Sequence, residues 1–114
     1  MNYKIEISAS FRKEAKHLKK HYDSFVDDYE KLLDELEANP HLGTDLGGGL
    51  RKIRMRIASK GKGKSGGARV ITFTVVVAID EAEITLLYIY DKAERSTITP
   101  NEIEELLRKN GLQK

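Results

Sequence analysis

Lys52, Arg54 and Arg56 stand at alternate positions of the run Leu50 to Ala58, interleaved with Ile53, Met55 and Ile57. A period of two places the three cations on one face of a strand and the three apolar side chains on the other. Like charges on adjacent same-face positions repel, so a strand built only for packing would interleave acids, and there are none. Arg51, Lys60, Lys62, Lys64 and Arg69 extend the same character: between Asp45 and Asp80 there are eight basic residues and no acidic one. The whole chain has 20 basic and 18 acidic residues, so the remainder carries a net charge of −6. A concentrated basic surface on an acidic body is what a polyphosphate partner requires, because each neutralised phosphate releases condensed counterions. Arginine adds a planar fork that binds two phosphate oxygens at once. Crowded cations also favour deprotonation of a lysine among them, which is one route to a base.

Other candidate chemistries are weaker. Gly63-Lys64-Ser65 has Ala58 where a phosphate-binding loop needs its first glycine, and a strand follows where a helix should. His17 and His21 are four apart, a metal-compatible spacing with no evident third ligand, and His41 follows Pro40 in a turn. The chain has no cysteine, which excludes disulfides, thiol catalysis and cysteine zinc sites. No nucleophile elbow is present, and no metal or cofactor is expected. The acids Asp27, Asp28, Glu30, Asp34, Glu35 and Glu37 read as a solvated helix face. Tyr88 and Tyr90 share a strand face, either as core aromatics or as platforms on which RNA bases stack.

The elements that must position these residues follow from periodicity. Tyr3, Ile5 and Ile7 alternate with Lys4 and Glu6, a short half-buried strand. Ser8 or Ser10 can cap a helix whose stripe is Phe11, Ala15, Leu18 and Tyr22. Ser24, with Asp27 three residues on, resembles a capping box for a second helix through Phe25, Tyr29, Leu32, Leu33 and Leu36, ended by Pro40. The short turn between them predicts an antiparallel helical hairpin. Gly43 to Gly49 reads as a link without periodicity. Strands follow at Leu50–Ala58, Arg69–Ile79 and Glu83–Tyr90. The second of these is apolar on both faces and is expected to be central. Lys60, Lys62 and Lys64 fall in a basic hairpin tip between the first two. Thr99-Pro100-Asn101-Glu102 starts a last helix, which Asn110-Gly111 stops. The expectation is one α+β domain over residues 1–114, ordered β-α-α-β-β-β-α, with helices on one face of a small, mostly antiparallel sheet. No apolar run reaches the roughly 20 residues of a membrane helix, and the charged N-terminus lacks a leader's apolar segment. A cytoplasmic location is expected.

Three runs carry a family resemblance: Leu50-Arg-Lys-Ile-Arg-Met-Arg-Ile57, Gly67-Ala-Arg-Val-Ile71 and Leu87-Tyr-Ile-Tyr-Asp-Lys-Ala-Glu-Arg-Ser96. With the order of elements, they resemble the RelE/ParE superfamily of bacterial toxins, most closely its HigB-like branch. The resemblance implies a metal-independent endoribonuclease that cuts mRNA in the ribosomal A site. It also implies a cognate antitoxin, with ribosomal RNA and mRNA as partners. The 2′-hydroxyl would attack the adjacent phosphate, leaving a 2′,3′-cyclic phosphate and a free 5′-hydroxyl. By position, the implied catalytic residues are Lys52, Arg54, Arg69 and Lys92. Arg51, Arg56, Lys60, Lys62, Lys64, Tyr88 and Tyr90 would contact RNA. The chain departs from the RelE pattern at Ala93, where that pattern has arginine, and at Thr99, where it has tyrosine. A lysine is a better base than an arginine, which puts that role on Lys52. Two other activities fit the same outline: a ParE-like inhibitor of DNA gyrase, and a basic RNA-binding module without catalysis.

Overall fold

Val70, Ile71, Leu86, Leu87 and Ile89 are completely buried, and the two long strands that carry them form the middle of the molecule. The computed structural model describes residues 1–112. Its elements are β1 (Asn2–Ile7), α1 (Ala9–His21), α2 (Phe25–Ala38), β2 (Thr44–Gly47), β3 (Leu50–Met55), a single 3-10 turn at Ala58–Lys60, β4 (Ala68–Ala78), β5 (Glu81–Asp91) and α3 (Pro100–Lys109). The five strands form one sheet in the order β1-β5-β4-β3-β2. Only the β1–β5 pair is parallel. The fold is α+β, with β4 between β3 and β5 as its apolar faces require.

Burial on both sides of β4 and β5 follows from two separate apolar layers. One face holds the helical hairpin: Phe11, Leu18, Phe25, Leu32 and Leu36 pack against Ile53, Met55, Val70, Ile84, Leu86 and Ile89. The other face holds α3, where Ile103 and Leu107 meet Ile71, Leu87, Tyr90 and Ile98. The expectation that all helices share one face is therefore corrected. An amphipathic stripe such as Ile103, Leu106 and Leu107 demands an apolar surface but does not say which. A register shift between Ile71 and Thr72, opposite Leu87, enlarges the apolar surface on the α3 side. It turns both Leu87 and Tyr88 toward α3, so β5 supplies the second layer without losing the first.

Three local readings also change. The link Gly43 to Gly49 contains β2, paired to β3 through Thr44↔Lys52 and Asp45↔Arg51. All four β2 residues are exposed, so pairing holds the strand and no hydrophobic period marks it. The β2–β3 hairpin closes at Gly49, whose φ of +87° and approach to the Thr74 carbonyl exclude a side chain. The strand at Leu50 stops at Met55, and the 3-10 turn takes over before the basic loop. Ser8 caps α1 by accepting from the Phe11 amide at 3.0 Å. Ser24, by contrast, does not close the expected box over α2. Its hydroxyl donates to Asp28 at 2.7 Å and accepts from the Ser59 amide at 2.9 Å, tying α2 to the 3-10 turn. The Thr99–Glu102 capping box of α3 forms in full. No described helix is long and apolar enough to cross a membrane.

Candidate nucleic-acid interface

Antiparallel partners share a face of the sheet, so the register of β3, β4 and β5 builds the site in rungs. Arg54 stands opposite Arg69, and Arg69 opposite Tyr90. Lys52 stands opposite Ile71, and Ile71 opposite Tyr88. Lys52, Arg54, Arg69, Tyr88 and Tyr90 therefore lie together on the face that carries α3, while Ile53 and Met55 point to the hairpin. The strand pattern is realised as expected. The third cation of the stripe is not: Arg56 lies past the last paired residue of β3 and borders a groove beside α2 with Glu35 and Lys64.

Arg69 is 7% exposed, low for a guanidinium. It is satisfied by donating to the carbonyls of Lys64 (3.2 Å), Ala68 (3.2 Å) and Ser65 (3.0 Å). Buried cations require such partners, and these bonds clasp the end of the basic loop onto β4. Gly67 permits the clasp, because a Cβ there would meet the Met55 carbonyl oxygen at 2.1 Å. The Gly67 carbonyl accepts from the Lys92 amide at 3.1 Å. The loop and the turn after β5 are thus joined. The Lys92 ammonium donates to the Ser96 carbonyl at 2.8 Å in an exposed bond, while the residue as a whole is half-buried. With three bonds made and five N–H donors, Arg69 keeps donors for a phosphate oxygen.

Several predicted RNA contacts lie elsewhere. Lys60 is withdrawn onto the hairpin face, where its side chain is 8% exposed and its ammonium bonds Asp91 at 2.6 Å. Asp91, 2% exposed, also accepts from the Tyr22 hydroxyl and the Ala93 amide. Burial alone would raise the Asp91 pKa, but the bonds from Lys60, Tyr22 and Ala93 outweigh it and hold the carboxyl below its ordinary value. The bond to Asp91 pushes the Tyr22 hydroxyl up to about 12. Lys60 is therefore a structural cation. Arg51 donates to the carbonyls of His41 (3.0 Å) and Gly43 (3.2 Å) and fastens the link before β2. Lys64 pairs with Glu35 of α2 at 3.3 Å. Lys62 is exposed at the loop tip. Tyr90 is 5% exposed and its hydroxyl is buried without a partner among the described residues. Burial raises its pKa, against the charges of Arg69 and Arg95. A ring so placed is a core aromatic and offers no face for a base. Tyr88, half-buried beside it with ring centroids 6.3 Å apart, remains a candidate platform.

Sequence reasoning passed over Arg95. Its guanidinium lies 5.6 Å from the Tyr90 ring centroid and pairs with Glu102 of α3. The signal was its place in the turn after β5, but a turn residue's direction cannot be read from periodicity. His17 and His21 meet edge to face at 4.5 Å, and Glu94 lies 3.5 Å from His17. Among the described residues no group of three or more His, Asp or Glu is arranged to hold a metal.

The arrangement can hold an anionic, phosphate-bearing chain along β3 and β4 against a floor of arginine and tyrosine. Residues 4–111 match the family model described as the RelE toxin of the RelE / RelB toxin-antitoxin system.

Proposed function

The chain belongs to the RelE toxin family of toxin–antitoxin systems, and we propose that it acts as a ribosome-dependent mRNA endoribonuclease. The observation that carries this reading is the rung of Arg54 and Arg69 with Lys52 one rung away, gathered on one sheet face with no acid among them. In-line attack of a ribose 2′-hydroxyl needs three services. A base takes the hydroxyl proton, cations hold the charge growing on the phosphorane, and an acid protonates the departing 5′-oxygen. The O2′–P bond forms and the P–O5′ bond breaks, which leaves a 2′,3′-cyclic phosphate. In this reading Arg54 would hold a phosphoryl oxygen, Arg69 would add the donors that its three carbonyl bonds leave over, and Lys52 would take the 2′-hydroxyl proton. Tyr88 and Lys92 would be the candidates to protonate the leaving oxygen. The ribosome would present the message, and the cognate antitoxin would block this face or compete for it.

The test is inducible expression in a bacterium with primer extension on a translated reporter mRNA. Wild type is compared with Arg54→Ala, which is exposed, and with Arg69→Lys. Growth arrest with new in-frame 5′ ends is expected for wild type. Losing one such charge-stabilising contact should cut cleavage on the order of 10²-fold. Arrest with intact message and damaged DNA would instead mean gyrase inhibition. RNA binding without arrest would mean a non-catalytic binding module.

A further inference from the structure

Arg95 and Glu102 form a contact whose chemistry exceeds its structural worth. The Arg95 amide is fixed by the Asp91 carbonyl at 3.1 Å, so the turn after β5 sends its side chain back over the Tyr90 ring. The guanidinium is about one-third exposed, and Glu102 is 41% exposed. The bond to Glu102 raises the Arg95 pKa, with the Tyr88 hydroxyl a smaller contributor. The pair lies in an open cleft of about 310 Å³, whose lining includes Tyr88 and Leu106, the cations Lys13 and Lys109, and the acids Glu14 and Glu105. The Glu102 carboxylate is divided between two tasks: one oxygen accepts from the Thr99 amide at 3.1 Å, and the other accepts from Arg95.

An exposed ion pair of this kind adds little to stability. Helix α3 is already held by its capping box and by the burial of Ile98, Ile103 and Leu107. What the pair does provide is a planar fork over an aromatic ring and directed at an oxyanion, and that ring, Tyr90, stands opposite Arg69 in the sheet. The same fork accepts a carboxylate or a phosphate. We propose that Arg95 is a phosphate-binding residue of the RNA site and that Glu102 is its resident counter-ion, displaced when an RNA phosphate arrives. This inference rests on the RNA reading above. It makes α3 an adjustable competitor for the site, since the acid that caps the helix is also the acid that occupies the arginine.

The experiment measures binding of a fluorescent 2′-O-methyl RNA oligonucleotide, which cannot be cleaved at its blocked 2′ positions, by anisotropy across a salt series. The proteins are wild type, Arg95→Ala, Arg95→Lys, Glu102→Gln and the double variant Arg95→Ala/Glu102→Gln. Glutamine keeps a carbonyl oxygen for the Thr99 amide, so the capping box survives, and denaturant unfolding of each variant checks this. Arg95→Ala should weaken binding about tenfold and lower the salt slope by about one. Arg95→Lys should fall between Arg95→Ala and wild type. Glu102→Gln should tighten binding by about threefold or more, and this gain should vanish in the double variant because the two sites are coupled. If wild type binds but Arg95→Ala binds with the same affinity and slope, Arg95 is only a fastener of α3 and the inference falls. A gain from Glu102→Gln that persists without Arg95 overturns the counter-ion role, leaving only removal of a general negative charge. Failure of wild type itself to bind at any salt overturns the inference, while primer extension on the translated reporter judges the ribosome-dependent reading separately.

Discussion

Two clusters at opposite faces of the same strand end use nearly the same residue types and come to opposite ends. On the hairpin face, Lys60 meets Asp91 and Tyr22, with its ammonium 5.4 Å from the Tyr22 ring centroid. On the α3 face, Arg95 meets Glu102 over the Tyr90 ring. Each is a cation, an acid and an aromatic ring. The first is closed: Lys60 and Asp91 side chains are 8% and 2% exposed, and Asp91 has bonds from three donors. The second is open, at 33% and 41%. The difference teaches that composition alone does not set how closed a polar cluster is. Burial does, together with how many of the polar atoms are already satisfied.

That contrast can be broken from the closed side first. Asp91→Ala strands the Lys60 ammonium in the interior and should destabilise the protein by roughly 3–5 kcal/mol in urea unfolding. Replacing Lys60 by Met in the same background should recover part of the loss, since no unpaired charge then remains. A loss below about 1 kcal/mol would mean that the cluster is wet and no different from its open counterpart.

The acid limb sharpens the comparison next. The Asp91 carboxyl titrates below its ordinary value in the folded state, so its contribution is present above the unfolded carboxylate range. It is lost as the pH falls through the folded value. The stability gap between wild type and Asp91→Asn should be level at neutral pH and shrink below about pH 4. The Tyr22 hydroxyl, raised to about 12, runs the other way. Its contribution holds up to about pH 10, the unfolded value, and disappears as the pH rises further. Tyr22→Phe should therefore flatten the alkaline limb.

Smaller effects test the open side. Thr99→Ala removes the hydroxyl that accepts from the Glu102 amide and should cost about 1 kcal/mol, read from the unfolding midpoint. It should also loosen the hold of Glu102. At the bottom of the scale, Glu105→Gln breaks the pair with Arg108, whose side chains are 64% and 60% exposed. Its effect should stay within about 0.5 kcal/mol. A larger cost there would show that open pairs on α3 carry more structural weight than exposure allows.

Much of the fold was legible because it rests on local chemistry. The Ser8 cap, the Thr99–Glu102 box, the hairpin stripes and the central place of β4 all follow from spacing and burial within one element. The basic face of β3 was legible for the same reason, since Ile53 and Met55 must face inward and Lys52 and Arg54 therefore face the other way, but the pairing of Arg54 with Arg69 rests on register between strands. β2 was not legible, since exposed residues paired only at one edge leave no hydrophobic period. Nor were the fates of the loop cations. Lys60, Lys62 and Lys64 look alike in a glycine-rich run, yet one is buried against Asp91, one is exposed at the tip and one reaches Glu35. Asp91 and Glu35 are 31 and 29 residues from the lysines they bind, beyond the reach of any local pattern.

By itself, the sequence determined a charge-segregated α+β chain with one strand apolar inward and cationic outward, because side-chain period and burial are properties of a single segment. Tertiary structure alone decided which face α3 covers, which cations stay exposed, and that Arg95 lies over Tyr90 against Glu102. Those outcomes depend on register between strands and on partners distant in the chain. A one-residue change of register moves a side chain to the other face.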